Sequence, residues 1–70
     1  MFKLTKIRKE RGLSKTQLSY ASKVNLSAIS RIELEKQTAF PGWQERIADV
    51  LGVAIDELFT SDGWLKKEGE

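Results

Sequence analysis

A chain of 70 residues with neither cysteine nor histidine has to hold itself together by packing alone. One core is the most that this length can build, and such a core is marginal unless its helices fit closely. Disulfides are excluded, and the residues that make most zinc sites and catalytic dyads are missing. No metal or other cofactor is expected. No apolar run approaches the length of a membrane span, and the opening Met1-Phe2-Lys3-Leu4 lacks the apolar core of a signal peptide. The reading is a soluble, cytoplasmic protein with no membrane partner.

Punctuation divides the chain into five short helices. Leu4 and Ile7 stand one turn apart in a segment from about Phe2 to Arg11, and Gly12 supplies its stop. Leu13 should then turn back into the core. Ser14, with Gln17 three residues on, forms a capping box that opens a second helix, whose inner face is Leu18 and Ala21. Asn25 is the next N-cap, and Ile29 and Ile32 mark a third helix from about Leu26 to Leu34. Thr38 can cap a fourth, with Pro41 tolerated in its first turn. Phe40, Trp43, Ile47, Val50 and Leu51 fall on one stripe and read as core, and Gly52 ends the helix. Val53, Ile55, Leu58 and Phe59 make a short fifth helix, with Asp56 and Glu57 where its dipole favours anions. The expected domain is residues 1–60. The tail, 61–70, reads as loose or as a dimer contact, because Trp64 and Leu65 are too apolar to ignore.

The net charge of +2 conceals an uneven distribution. Residues 1–31 carry eight Lys or Arg against the single acid Glu10, whereas residues 32–70 carry four bases and nine acids. The front is therefore +7 and the back −5, which suggests one face for a polyanion. Ordinary solvated lysines explain the same numbers equally well.

The informative stretch is Ser14 to Glu33, two short helices around a tight turn. Leu18, Val24, Ile29 and Ile32 have the spacing of buried positions. Ser19 is small where the second helix must pass close under the third. With Ile29 and Ile32 pinned inward, Leu26, Ser27, Ser30 and Arg31 are held outward. A helix displayed in this way fits the DNA major groove, its first residues reaching base edges.

These residues resemble the lambda-repressor-like, Xre/Cro-type helix-turn-helix family, whose members commonly read L-S-Q-E-x-L-A-x-x-x-G-V-S-x-x-x-I-S-R-I-E. Leu13, Ser14, Leu18, Val24, Ile29, Ser30, Arg31, Ile32 and Glu33 match in register. Ile47 to Val53 and Ile55 to Phe59 resemble the family's fourth and fifth helices, so the resemblance spans about Leu4 to Phe59. It implies an all-α fold of five short helices, with the helix-turn-helix made by helices 2 and 3. It also implies that Arg8 and Glu33 form a structural ion pair that locks the first helix to the third. Three positions depart from the pattern. Lys23 stands where the turn usually has glycine, Ser22 replaces an apolar residue, and Lys15 replaces a glutamine that often meets a phosphate.

On this reading Leu26, Ser27, Ser30 and Arg31 are the candidate base contacts. Arg31 suits guanine O6 and N7, and its competing role is an ion pair with Glu35 four residues on. Leu26 suits a thymine methyl or, equally, packing against a loop. Lys15, Gln17 and Asn25 at helix starts, and Lys36, Gln37 and Thr38 in the following loop, are the candidate phosphate contacts. For Gln17 and Asn25 the capping role alone is a sufficient explanation. Ile55, Phe59, Trp64 and Leu65 are the candidate dimer surface.

The function expected is a sequence-specific regulator binding double-stranded DNA, a repressor acting as a homodimer. The alternative is an antitoxin or other protein-interaction module, with a toxin or another protein as partner. An enzyme is disfavoured: the acids are scattered over helical surfaces and no phosphate loop is present.

Overall fold

The computed structural model describes residues 2–68. Met1 and the last two residues of the 61–70 tail lie outside the described residues. Five helices follow one another: α1 (Lys3–Glu10), α2 (Lys15–Ser22), α3 (Leu26–Glu33), α4 (Pro41–Leu51) and α5 (Ile55–Leu58).

Local hydrogen-bond chemistry sets most of their ends. Gly12 takes φ 72°, which lets the Leu13 amide bond back to the Arg8 carbonyl at 3.0 Å and aims Leu13 at the core. The capping box of α2 is complete, Ser14 Oγ accepting from the Gln17 amide at 3.0 Å and Gln17 Oε1 accepting from the Ser14 amide at 2.8 Å. Asn25 caps α3 by accepting from the Ala28 amide at 2.8 Å. At the end of α4, Gly52 at φ 71° allows the Val53 amide to reach the Ala48 carbonyl.

Three details differ from the sequence reading. Ala21 is exposed and Ser22 is buried in its place. Ser22 lies four residues after Leu18 on the inward face, and its hydroxyl is satisfied by the Leu18 carbonyl at 2.7 Å, so burial leaves no unpaired group. Thr38 does not cap α4. Pro41 confines the residue before it to extended backbone, so Phe40, at ψ 153°, becomes the N-cap and contributes no side-chain bond. Phe40 consequently lies outside the helical stripe and is 62% exposed, its ring 4.6 Å from that of half-buried Trp43.

The core gathers Leu4, Leu18, Val24, Ala28, Ile29, Ile32, Ile47, Leu51, Leu58 and Phe59 into one cluster. Helix α2 packs against both α3 and α4, and α5 packs against α4 and α1. Residues 61–68 are not loose. The chain turns at Thr60–Trp64, where the Thr60 amide meets the Trp64 carbonyl at 2.7 Å, and runs back over the core. The Lys66 amide bonds the Leu58 carbonyl, and the Lys3 amide bonds the Lys66 carbonyl. Isolated antiparallel bridges join Phe59 to Leu65 and Phe2 to Lys67. Leu65 is only 4% exposed. Residues 61–68 form a strap over the core that ties the two ends of the described chain together.

Candidate nucleic-acid interface

Helix α3 is two-sided by construction. Ala28, Ile29, Ile32 and Glu33 are buried, and that anchorage turns the opposite side to solvent. Leu26, Ser27 and Arg31 are exposed there, and Ser30 is half-buried beside them. The angle between α2 and α3 is held by polar as well as apolar contacts. Val24 is buried in the turn, Ser19 Oγ donates to the Val24 carbonyl at 2.6 Å, and the Val24 amide reaches Ser22 Oγ. Lys23 takes φ 60°, the left-handed conformation that its glycine-like position demands.

Arg8 and Glu33 fasten the far end of α3. Arg8 Nε donates to Glu33 Oε2 at 3.1 Å and Arg8 Nη2 to Glu33 Oε1 at 3.2 Å. Thr5 Oγ1 donates to the same carboxylate, and Arg8 Nη1 to the Leu13 carbonyl. No described buried side-chain nitrogen or oxygen is left without a partner. The cationic character of the first half is reduced accordingly. Arg8 is spent inside this network and Lys6 pairs with Glu68 at 2.9 Å, whereas Arg11, its Nε donating to the neutral Leu51 carbonyl, keeps its charge. Lys15, Lys23, Arg31 and Lys36 form no ion pair among the described residues.

The expected phosphate contacts fall in two groups. Lys15, Gln17 and Asn25 stand at the starts of α2 and α3, and Gln17 and Asn25 already use their side-chain oxygens as caps. Lys36, Gln37 and Thr38 lie together in the loop after α3, Lys36 exposed and the other two half-buried. Arg31 does not pair with Glu35. The backbone at Glu35 turns to φ 57°, and Arg31 Nε donates instead to Gln37 Oε1 at 2.6 Å. Of the four residues expected at a dimer surface, Phe59 and Leu65 are buried in their own core, because the strap's bridge draws them together. Ile55 and Trp64 remain exposed.

One feature escaped the sequence reading. Tyr20 is 83% exposed and, with Thr16, Ser19, Lys23, Asn25 and Leu26, lines an open groove of about 520 Å³ at the corner of α2 and α3. The available signal was positional: Tyr20 is two residues from Leu18 and therefore cannot share its inward face. Titration is perturbed elsewhere, at the tail. The Lys6 ammonium hydrogen-bonds Glu68 and holds its carboxyl below the ordinary range, and the same bond raises Lys6. No group of acids able to hold a metal occurs among the described residues.

Residues 3–59 match a family described as a helix-turn-helix domain, in keeping with two helices at a fixed corner, the second presenting an anchored outward face. The chain belongs to that family. Neither curated proteins nor solved structures gave a match. As a helix-turn-helix domain it is suited to DNA as a partner, and the family is typically non-enzymatic. The match is consistent with the lambda-repressor-like resemblance and ends at Phe59, so the strap lies beyond it. No helix among the described residues is long and apolar enough to cross a membrane.

Proposed function

We propose that this helix-turn-helix protein reads a specific sequence of double-stranded DNA in the cytoplasm, as a homodimer that represses by occluding its site. The observation that carries the reading is the two-sidedness of α3. Ala28, Ile29, Ile32 and Glu33 are buried while Leu26, Ser27 and Arg31 face outward, so the exposed side is presented on a rigid support. Arg31 faces guanine, Leu26 a thymine methyl, and the two serines accept or donate as the base requires. Lys15, Lys36 and the free amides at helix starts meet phosphates and set the register.

A reading surface of one arginine, two serines and a leucine supplies few base contacts, so a single copy discriminates weakly. Two copies on half-sites about one helical turn apart multiply that discrimination. Ile55 and Trp64 are the exposed remainder of the expected dimer surface and serve as its centre in this reading.

Selection of bound sequences from random duplex DNA, followed by titration of affinity against salt, tests the proposal. An enriched inverted repeat and a log K that falls linearly with log salt are expected. Enrichment of no motif overturns it.

A further inference from the structure

Arg31 is held by a neutral acceptor from outside its own helix. Its Nε–H donates to Gln37 Oε1 at 2.6 Å, although Arg31 is exposed and Glu35, four residues on, has the charge expected to capture it. The acceptor atom is fixed by chemistry, since an arginine Nε–H can only donate and must therefore face the amide oxygen. This one contact changes what the guanidinium offers. With Nε occupied, the remaining donors are those on the two terminal nitrogens. No hydrogen bond from Nη1 or Nη2 of Arg31 occurs among the described residues.

Gln37 is itself clamped on both sides. The Lys36 amide bonds the Arg31 carbonyl at 2.8 Å, which folds the loop back onto the end of α3. Two residues later the Ala39 amide bonds the Gly63 carbonyl at 3.1 Å, and Gln44 Nε2 donates to the Ala39 carbonyl at 2.8 Å. Gly63 is buried against this point so closely that a Cβ there would sit 2.9 Å from the Ala39 oxygen. The strap beyond the family match therefore reaches the reading face through Ala39 and Gln37.

We propose, on the reading of Arg31 as a base contact, that Gln37 is a positioning residue that presents Arg31 end-on, both terminal nitrogens forward, to guanine O6 and N7. Expected otherwise as a phosphate contact, Gln37 then contributes to specificity. The physical reason is twofold. A side chain already ordered loses less freedom when it binds. An amide also holds Nε without neutralising the guanidinium, as a Glu35 pair would, so the full charge is left for the base edge.

The test compares wild type, Gln37→Ala, Gln37→Glu and Arg31→Ala by selection from random duplex DNA. Each is then titrated over salt on the selected site and on versions with single guanines replaced. A bidentate arginine supplies roughly 5- to 150-fold preference for its guanine. Gln37→Ala should cut that preference by about fivefold or more at the one position that Arg31→Ala abolishes, with the salt slope and all other base preferences unchanged. Gln37→Glu keeps an acceptor at the same reach but sets a carboxylate against the guanidinium, so its guanine preference should fall between those of Gln37→Ala and wild type while every sequence binds more weakly. Unchanged guanine preference in Gln37→Ala overturns the inference and leaves the regulator reading standing. So does a uniform weakening on every sequence, which marks a phosphate contact. If wild type enriches no motif, both fall together.

Discussion

Arg8 and Glu33 meet through two parallel hydrogen bonds, 3.1 and 3.2 Å long, with both side chains almost completely withdrawn from water. The pair joins α1 to the last turn of α3, and Thr5 and the Leu13 carbonyl fill the remaining sites around it. Desolvating two ions is expensive, so such a pair adds little net stability over an apolar replacement, yet removing one partner strands the other. Glu33→Ala or Arg8→Ala should cost about 3–5 kcal/mol. A domain of this size has roughly 3–5 kcal/mol in total, so either variant should be largely unfolded by circular dichroism at 25 °C. Replacing both with apolar residues, Arg8→Met with Glu33→Leu, should recover a cooperative transition. If the single variants melt like wild type, the network is not what fastens α3.

Lys23 occupies a left-handed conformation with no glycine to relieve it. That conformation costs a side-chain-bearing residue roughly 1–2 kcal/mol, against about 0.5–1 kcal/mol that glycine loses through its freer unfolded chain. Lys23→Gly should therefore gain on the order of 0.5–1 kcal/mol, a rise in Tm of several degrees for a domain of this length. A thermal melt monitored at 222 nm checks the sign; a fall in Tm would mean that the lysine stem packs usefully over the turn.

What could be read before the structure was chemistry confined to a few neighbouring residues. Gly12, the Ser14–Gln17 box, the Asn25 cap and Gly52 act over one turn, so their residue types announce them. The two isoleucines of α3 were legible for the same reason, since i and i+3 share a face, and they set which side points outward. Phe40 has the spacing of the α4 stripe, but Pro41 keeps it out of the helix. Ser22 stands where the resemblance expects an apolar residue, and one local hydrogen bond to the Leu18 carbonyl lets a hydroxyl be buried there in place of Ala21. The strap was invisible, as it depends on Phe2 and Lys3 meeting Lys66 and Lys67 from the other end of the chain. The Arg31–Gln37 contact was hidden likewise, because the left-handed Glu35 between them carries no glycine to signal a turn.

Arg31 and Lys36 are both exposed cations five residues apart, and they should fail differently. Arg31→Ala should relax preference at a single base position, at a cost of about 1–3 kcal/mol on the selected site and little on unrelated DNA. Lys36→Ala should weaken all sequences about equally and lower the salt slope by about one. Fluorescence anisotropy on matched and scrambled duplexes at several salt concentrations separates the two. Equal losses on both duplexes for Arg31→Ala would remove it from the base contacts.

Glu68 and Lys6 make the attachment of the strap to α1 sensitive to pH at both extremes. The carboxyl lies below its ordinary 4.5 because the Lys6 ammonium donates to it, so the pair's contribution is complete above that value and is lost as pH falls through the lowered one. Lys6 lies above its ordinary 10.5, so the contribution is complete below that value and is lost as pH rises through the raised one. Both groups are exposed, and salt should weaken the pair throughout. Backbone amide NMR shifts of Lys66 and Lys67 should move as pH falls below 4.5 in wild type and stay level in Glu68→Gln. Identical titrations would show that the pair does not hold the strap.

Leu65 and Trp64 are neighbours with opposite fates, and they separate folding from association. Leu65 is 4% exposed against the core, whereas Trp64 is 39% exposed. Leu65→Ala empties a filled site and should cost about 2–5 kcal/mol, enough to leave a domain of this size poorly folded. Trp64→Ala truncates a side chain that is 39% exposed and should cost the monomer less than Leu65→Ala does. If Trp64 and Ile55 centre the dimer, Trp64→Ala should sediment as a monomer at concentrations where wild type is paired. The same variant should bind a single half-site about as well as wild type and lose affinity for the inverted repeat. A wild type that sediments as a monomer, or a Trp64→Ala variant still paired, would move the dimer contact elsewhere on the surface.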